Sequence, residues 1–242
     1  MERYSIINDK NPREIVLLRG KGCIWRQCTF CDYHLDSGNS EEENYRLNSE
    51  VLAKVKGMYG RLEAINSGSF CELDQKTLNL ITNICIEKKI NTLHFESHII
   101  YKNQAVKAKK ELAEKGIRLI IKTGVETFDK EYREHIMKKG FGLASPQEIA
   151  EYANEVCLLF GLSGQTEQSM LSDIETGLQY FDRVCVNIMN ENSTKIKPDS
   201  AVINIFAEKI APLYTDNDRV DILMDNLDLG VGTKVQEVSG NV

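Results

Sequence analysis

The stretch EIVLLRGKGCIWRQCTFC, residues 14–31, joins a short apolar run to a glycine turn and then to three cysteines. A run of five residues rich in Val, Ile and Leu is typical of a strand that is buried on both faces of a parallel sheet. The two glycines indicate that the strand ends before the cysteines begin. The cysteines are therefore expected on a loop at the carboxyl edge of the first strand.

The same alternation of a short apolar run, a turn and an amphipathic stretch continues along the chain. Further strands are predicted at 62–65, 92–95, 117–121, 156–161 and 184–189, with a seventh possible at 220–224, and helices at 48–59, 75–88, 103–115, 129–138, 167–181 and 199–210. Such alternation predicts right-handed βαβ units. An eightfold barrel takes about 250 residues, so six units favour an incomplete (βα)6 TIM-like barrel, with an open doubly wound sheet as the alternative. Residues 1–233 are expected to form one domain and 234–242 a loose tail.

Composition excludes several classes of protein. The chain has 242 residues, 42% of them hydrophobic and 27% charged, which is ordinary for a soluble domain. Its net charge of −6 argues against nucleic acid as the main partner. Apolar runs fall short of the ~20 residues that a membrane-spanning helix needs, and the N-terminus does not resemble a signal peptide. A cytoplasmic protein without a membrane partner is therefore expected.

Cys23, Cys28 and Cys31 are the main chemical signal. Three thiols within nine residues on one loop favour a soft metal centre. Together with His34 they could form a Cys3His zinc site. The alternative is a [4Fe–4S] cluster with only three thiolate ligands, which leaves one iron open to another molecule.

The loop resembles the radical SAM superfamily, whose motif is C-x3-C-x-aromatic-C after the first strand of a partial (βα)6 barrel. Cys28-Thr29-Phe30-Cys31 matches the second half, whereas four residues instead of three separate Cys23 from Cys28. The resemblance implies that Cys23, Cys28 and Cys31 hold a [4Fe–4S] cluster, that Phe30 lies beside it, and that S-adenosylmethionine is the second cofactor. It also implies an external electron donor such as flavodoxin or ferredoxin.

The resemblance also assigns three further segments to S-adenosylmethionine. The turn after the second strand would bind the amino group of the methionine part. After the fourth strand, a cation would hold the methionine carboxylate and a carboxylate would hold the amino or ribose groups. The glycine turn after the fifth strand would approach the adenine ring. These residues are Ser67, Gly68 and Ser69; Lys122 and Glu126; and Gly161, Leu162 and Gly164.

The run 33–36, the turn 66–70 and the segment 223–226 are similar to radical SAM enzymes of 7-deazaguanine salvage. That similarity implies a carbon–nitrogen lyase that acts on the free base queuine and releases 7-aminomethyl-7-deazaguanine (preQ1) for queuosine formation. The alternatives are the same chemistry on a tRNA-bound nucleoside and a zinc-stabilised binding module.

A deazaguanine presents N–H donors at N1 and N2, which require a buried acceptor. Glu96 and His98 after the third strand, Asn187 in the sixth, Asp225 after the last, and Glu43 on a lid beside the cysteine loop are the candidates. Glu43, Glu96 and His98 are also the candidate catalytic groups. Cys157 and Cys185 are expected to be inert core residues.

Overall fold

The structure is a computed structural model and describes residues 2–225. The predicted tail and the end of the predicted domain lie outside the described residues. No helix in the described part of the chain combines the length and the apolar character that crossing a membrane requires.

One sheet organises the described chain, and its strands lie side by side in the order in which they occur in the sequence. The first strand is antiparallel to the second, and all later neighbours are parallel. The strands are β1 (Tyr4–Ile7), β2 (Arg13–Leu18), β3 (Arg61–Asn66), β4 (Thr92–Glu96), β5 (Arg118–Glu126), β6 (Glu155–Phe160), β7 (Arg183–Ile188) and β8 (Val220–Leu223). A doubly wound sheet reverses its strand order at one point, and this sheet does not. The prediction of a partial TIM-like barrel is confirmed, with an additional antiparallel strand β1 that was not predicted.

The helices follow the predicted alternation with shifted ends. They are α1 (Glu41–Leu52), α2 (Gln75–Glu87), α3 (Lys102–Ala113), α4 (Pro146–Ala150), α5 (Glu167–Tyr180), α6 (Ser200–Ile205) and α7 (Ala211–Tyr214), with π-helical turns at Tyr132–Ile136 and Phe206–Ile210. The helix predicted at 48–59 begins earlier, because the Ser40 side chain accepts a hydrogen bond from the Glu43 amide and caps α1. It also ends earlier, before Gly57 and Tyr59, which adopt left-handed φ values of 81° and 59°.

Residues on the two faces of the sheet alternate between a helix-packed core and the barrel interior. Val16, Leu62, Leu93 and Val156 belong to the core cluster under the helices and have no exposed surface. Residues one position away point into the interior, which is the expected consequence of the two-residue period of a strand.

The lower interior of the barrel is charged. Arg13 Nε and Lys122 Nζ both contact the buried Glu63 carboxylate. Burial alone would raise the pKa of Glu63, but the attraction of Arg13 and Lys122 outweighs it and lowers that pKa. The ion triad therefore forms a fixed floor beneath the carboxyl edge, where ligands are expected.

Candidate active site

The cysteine loop leaves β2 at the carboxyl edge of the sheet, as predicted. Cys23, Cys28 and Cys31 are all free thiols and all partly exposed. Within residues 2–225, no group of three or more His, Cys, Asp or Glu side chains is close enough to bind a single metal ion. The Cys3His zinc site with His34 is therefore not formed. A [4Fe–4S] cluster takes each thiolate on a different iron, and three cysteines on one loop are the donor set that it requires.

The outer side of the cysteine loop rests on the segment that follows the π-helical turn Tyr132–Ile136. Trp25 Nε1 donates to the Lys138 carbonyl at 2.8 Å, and Thr29 Oγ1 donates to the Ile136 carbonyl at 2.7 Å. A Cβ atom at Gly140 would lie 2.2 Å from the Trp25 ring. The absence of a side chain at Gly140 is therefore what lets the loop approach.

The inner side of the loop rests on the turn after β3. A Cβ atom at Gly68 would lie 2.0 Å from Glu72 Oε2 and 3.0 Å from the Cys23 Cα atom. The Glu72 carboxylate accepts hydrogen bonds from the Ile24 amide at 2.7 Å and the Ser69 amide at 2.6 Å. Gly68 and Glu72 thus fix where the first cysteine lies.

The two predicted serines of this turn already hold neighbouring loops. Ser67 Oγ donates to the Asp36 carbonyl at 2.7 Å, and Ser69 Oγ accepts from the His98 amide at 3.0 Å. Both serines are buried. Their hydroxyls therefore join the cysteine loop and the segment after β4 to the turn.

Lys122 and Glu126 lie within β5, which continues to Glu126, and not in a loop after it. Lys122 is bound to Glu63 in the floor of the barrel. The ammonium near the cysteines is instead Lys139, which lies 2.8 Å from Glu126 Oε1. Sequence reasoning missed Lys139, since nothing in its local pattern distinguishes it from the surface lysine Lys138.

The environment of Lys139 links it to two cysteines. Its Nζ lies 5.6 Å from the centroid of the Phe30 ring. Burial raises the pKa values of the Cys28 and Cys31 thiols, the latter to about 12, and the Lys139 charge opposes that rise in both. Burial disfavours the charged form of Lys139, but the attraction of Glu126 and of the thiolates outweighs it and raises the pKa of Lys139.

Glu96 is the last residue of β4 and pairs in register with Lys122 on β5. It is half-buried in the interior. Burial raises the pKa of Glu96 to about 7, with Lys122 and Lys139 opposing the rise. Lys122 forms its ion pair with Glu63 and not with Glu96, so the half-buried Glu96 carboxylate is a candidate acceptor for an incoming donor.

His98 has both ring nitrogens engaged. Nδ1 accepts from the Ile100 amide at 3.4 Å, so Nε2 carries the proton and donates to the Lys139 carbonyl at 2.7 Å. Burial and, to a smaller extent, the Lys139 charge lower the pKa of His98 to about 4. The ring stacks on Trp25 with centroids 5.5 Å apart. This geometry makes His98 a residue that positions the Lys139 segment.

The turn after β6 has the predicted glycine conformation. Gly161 and Gly164 both have φ of 93°, which a side chain disfavours. The Leu162 side chain has no exposed surface and packs in one cluster with Phe30. Gln165, which the sequence did not single out, closes the turn by accepting from the Leu162 amide at 2.9 Å.

The other predicted substrate residues lie at different depths. Asn187 is in β7 beside Leu159, near the upper interior. Asp225 follows β8 and is exposed, and Glu43 is exposed in the first turn of α1. Cys157 and Cys185 are register partners in the barrel interior, with their sulfurs in hydrogen-bond contact, and do not pack under the helices.

Two solved structures resemble this chain over most of its length. No protein-family model matches the chain, and no curated protein matches it. The solved structure of queuine lyase from Clostridium spiroforme, bound to SAM and queuine, has 42% sequence identity and a TM-score of 0.91, and the match covers 96% of this chain and 100% of that one. SuiB from Streptococcus suis, bound to S-adenosylmethionine, has 17% identity and a TM-score of 0.55, and the match covers 89% of this chain and 48% of SuiB. The likeness to SuiB is one of fold alone.

Proposed function

This chain belongs to the radical SAM enzymes, in the family of queuine lyase, and on that premise we propose that it cleaves a carbon–nitrogen bond of queuine and releases 7-aminomethyl-7-deazaguanine. The observation that carries the proposal is the likeness to queuine lyase over nearly the whole of both chains. The half-buried Glu96 carboxylate inside the barrel, whose pKa burial raises, also supports it. The product would serve queuosine formation by salvage.

Cys23, Cys28 and Cys31 would hold a [4Fe–4S] cluster, which together with S-adenosylmethionine would supply the radical chemistry. When bound, the two cofactors supply the abstraction of a hydrogen atom from the substrate. The chain's own contribution is the shape of the loop, which the contacts of Gly68, Glu72 and Gly140 fix before any cofactor binds. An external one-electron donor, such as flavodoxin or ferredoxin, reduces the cluster.

The methionine part of S-adenosylmethionine is an ammonium and a carboxylate on one carbon atom. The Glu126–Lys139 pair offers the two opposite charges 2.8 Å apart beside the cysteines. Glu126 binds the ammonium of the methionine part. Lys139 binds its carboxylate, which is the role predicted from the sequence for Lys122. Backbone groups of the turns hold the remainder of the molecule, with Phe30 and Leu162 as apolar neighbours; these turn residues are Ser67, Gly68, Ser69, Gly161 and Gly164.

Glu96 reads the substrate. Its ionised carboxylate accepts two N–H groups from the edge of the deazaguanine, and these charge-assisted hydrogen bonds stabilise the ionised form inside the barrel. Asn187 lies above it and His98 acts through the position of Lys139. Asp225 and Glu43 are proposed only for the rim, because both are exposed.

The proposal is tested with protein reconstituted with iron and sulfide under anaerobic conditions. Incubation with queuine, dithionite and S-adenosylmethionine should give 5′-deoxyadenosine and 7-aminomethyl-7-deazaguanine in step, as measured by mass spectrometry. Cys28→Ala should give neither product, and Glu96→Gln should lose the deazaguanine product.

Two outcomes would contradict the proposal at different levels. 5′-Deoxyadenosine without any deazaguanine product would refute queuine as the substrate, and a parallel incubation with queuosine-containing tRNA would then test the alternative substrate. Failure to cleave S-adenosylmethionine with a fully loaded cluster would refute the radical reaction itself.

A further inference from the structure

The Glu126–Lys139 ion pair has an unusual backbone and an unusual location. Glu126 has a left-handed φ of 69°, and the register of β5 against β6 is irregular between Gly124 and Glu126. A Cβ atom at Gly124 would lie 2.5 Å from Glu126 Oε1 and 3.1 Å from Lys139 Nζ. The strand is therefore shaped around the pair.

Folding stability does not explain this arrangement. A left-handed conformation is unfavourable for glutamate, and a buried ion pair is often no more stabilising than apolar residues of the same volume. The side chains of Glu126 and Lys139 are only 11% and 12% exposed. Strain and desolvation at one point in the barrel indicate a functional role for the pair.

The position of Lys139 is held from several sides. Its carbonyl accepts the His98 Nε2 proton at 2.7 Å, and the preceding carbonyl, that of Lys138, accepts from Trp25. Its ammonium lies over the ring of Phe30, the residue that precedes Cys31. The charge of the ammonium also acts on the thiols of Cys28 and Cys31. Lys139 is thus a fixed positive charge beside the ligands, with Glu126 as a fixed negative charge behind it.

We propose that Lys139 and Glu126 set the reduction potential of the cluster, with Lys139 raising it and Glu126 lowering it. The inference rests on the proposed function only in that a [4Fe–4S] cluster binds to the three cysteines. Reduction adds one electron from an external reductant and neither forms nor breaks a bond. A nearby positive charge stabilises the added electron, and a nearby negative charge opposes it.

The two charges act with opposite signs, so single and double variants give different predictions. Lys139→Gln should make the cluster harder to reduce, and Glu126→Gln should make it easier. A change of about tenfold in the reduced-to-oxidised ratio at a fixed potential, which is ~59 mV for one electron, is expected in each case. The double variant should return towards the original potential. Lys138→Gln, on the exposed neighbour, should leave it unchanged.

The experiment is a potentiometric titration with dithionite, monitored by electron paramagnetic resonance, before S-adenosylmethionine is added. Iron content and thermal unfolding of each variant show that the loop and the barrel are intact. Equal potentials for the original protein and both single variants, at full iron loading, would overturn the inference and leave the proposed function standing. Shifts of the same sign in both would overturn it also. A protein that assembles no cluster would instead refute the proposed function.

Discussion

The ionised Glu96 carboxylate, which we propose as the acceptor for the substrate, should lower the free energy of unfolding. Glu96→Gln tests this. The rise of its pKa from an ordinary 4.5 to about 7 corresponds to about 3 kcal/mol of free energy that disfavours the ionised folded state. Because the side chain is only half-buried, we expect about 1–2 kcal/mol.

The sign of the pH dependence follows from that raised pKa. Below pH 4.5 the carboxyl is protonated in both folded and unfolded chains, so it has no effect on the free energy of unfolding. As the pH rises from 4.5 to about 7, the carboxyl ionises in the unfolded chain but stays largely protonated in the folded one, so the free energy of unfolding falls, and above about 7 it stays at the lower value. Glu96→Gln should therefore unfold at higher urea concentration than the original protein at pH 8, and at the same concentration at pH 4.

Binding should change in the opposite direction. An amide at position 96 would bring an N–H group towards the substrate's own N–H donors, which leaves buried donors unpaired. That should weaken queuine binding by roughly 1.5–3 kcal/mol, or about 10- to 100-fold, in isothermal titration calorimetry. The affinity of the original protein should rise with pH up to about 7 and then level off.

Glu42→Gln is the matched control, since Glu42 is exposed in α1. It should alter neither stability nor queuine affinity. A Glu96→Gln protein that binds queuine as tightly as the original, or that loses stability at pH 8, would show that Glu96 already has a partner and that the reasoning is wrong.

Three further predictions concern the loop and the floor of the barrel. Cys28→Ala should abolish cluster assembly, measured as iron per chain, but keep cooperative thermal unfolding, because the barrel core does not include the thiol; loss of cooperativity would contradict this. Gly68→Ala should lower iron content, because its Cβ atom would displace Glu72 and the backbone of Cys23. Full iron loading would show that the turn accommodates the methyl group without moving the cysteines. Glu63→Ala should lower the free energy of unfolding in urea by about 3–5 kcal/mol, because it leaves the buried Lys122 without its counter-charge; a loss below 1 kcal/mol would indicate that water reaches the floor.

The architecture could be predicted because it depends on local periodicity. The runs at 156–161 and 184–189 became β6 and β7 with small shifts at their ends. The strand β1 was missed, since its partly exposed residues form a strand only through pairing with β2. The helix predicted at 129–138 became the π-helical turn Tyr132–Ile136, and α4 was missed because it has only five residues.

The candidate site was predictable where one short segment carries the chemistry. The three cysteines lie on one loop, so their spacing alone indicated a shared inorganic group. Lys122 and Lys139 illustrate the limit. The first was placed beside the cofactor because it follows a predicted strand, but Glu63, 59 residues away in sequence, binds it. The second lies beside the thiols only because β5 and the segment after the π-helical turn meet there.

The sequence by itself determined the order of strands and helices and the loop that carries the thiols, because both follow from hydrophobic period and from residues adjacent in the chain. Only the tertiary structure decided which charges are paired and which are available. Glu63, Glu96 and Glu126 are alike as residues. Glu63 contacts two cations, burial raises the pKa of Glu96, and Glu126 pairs with Lys139. Electrostatic interaction depends on distance and burial in space, and neither is encoded in the local pattern around a single glutamate.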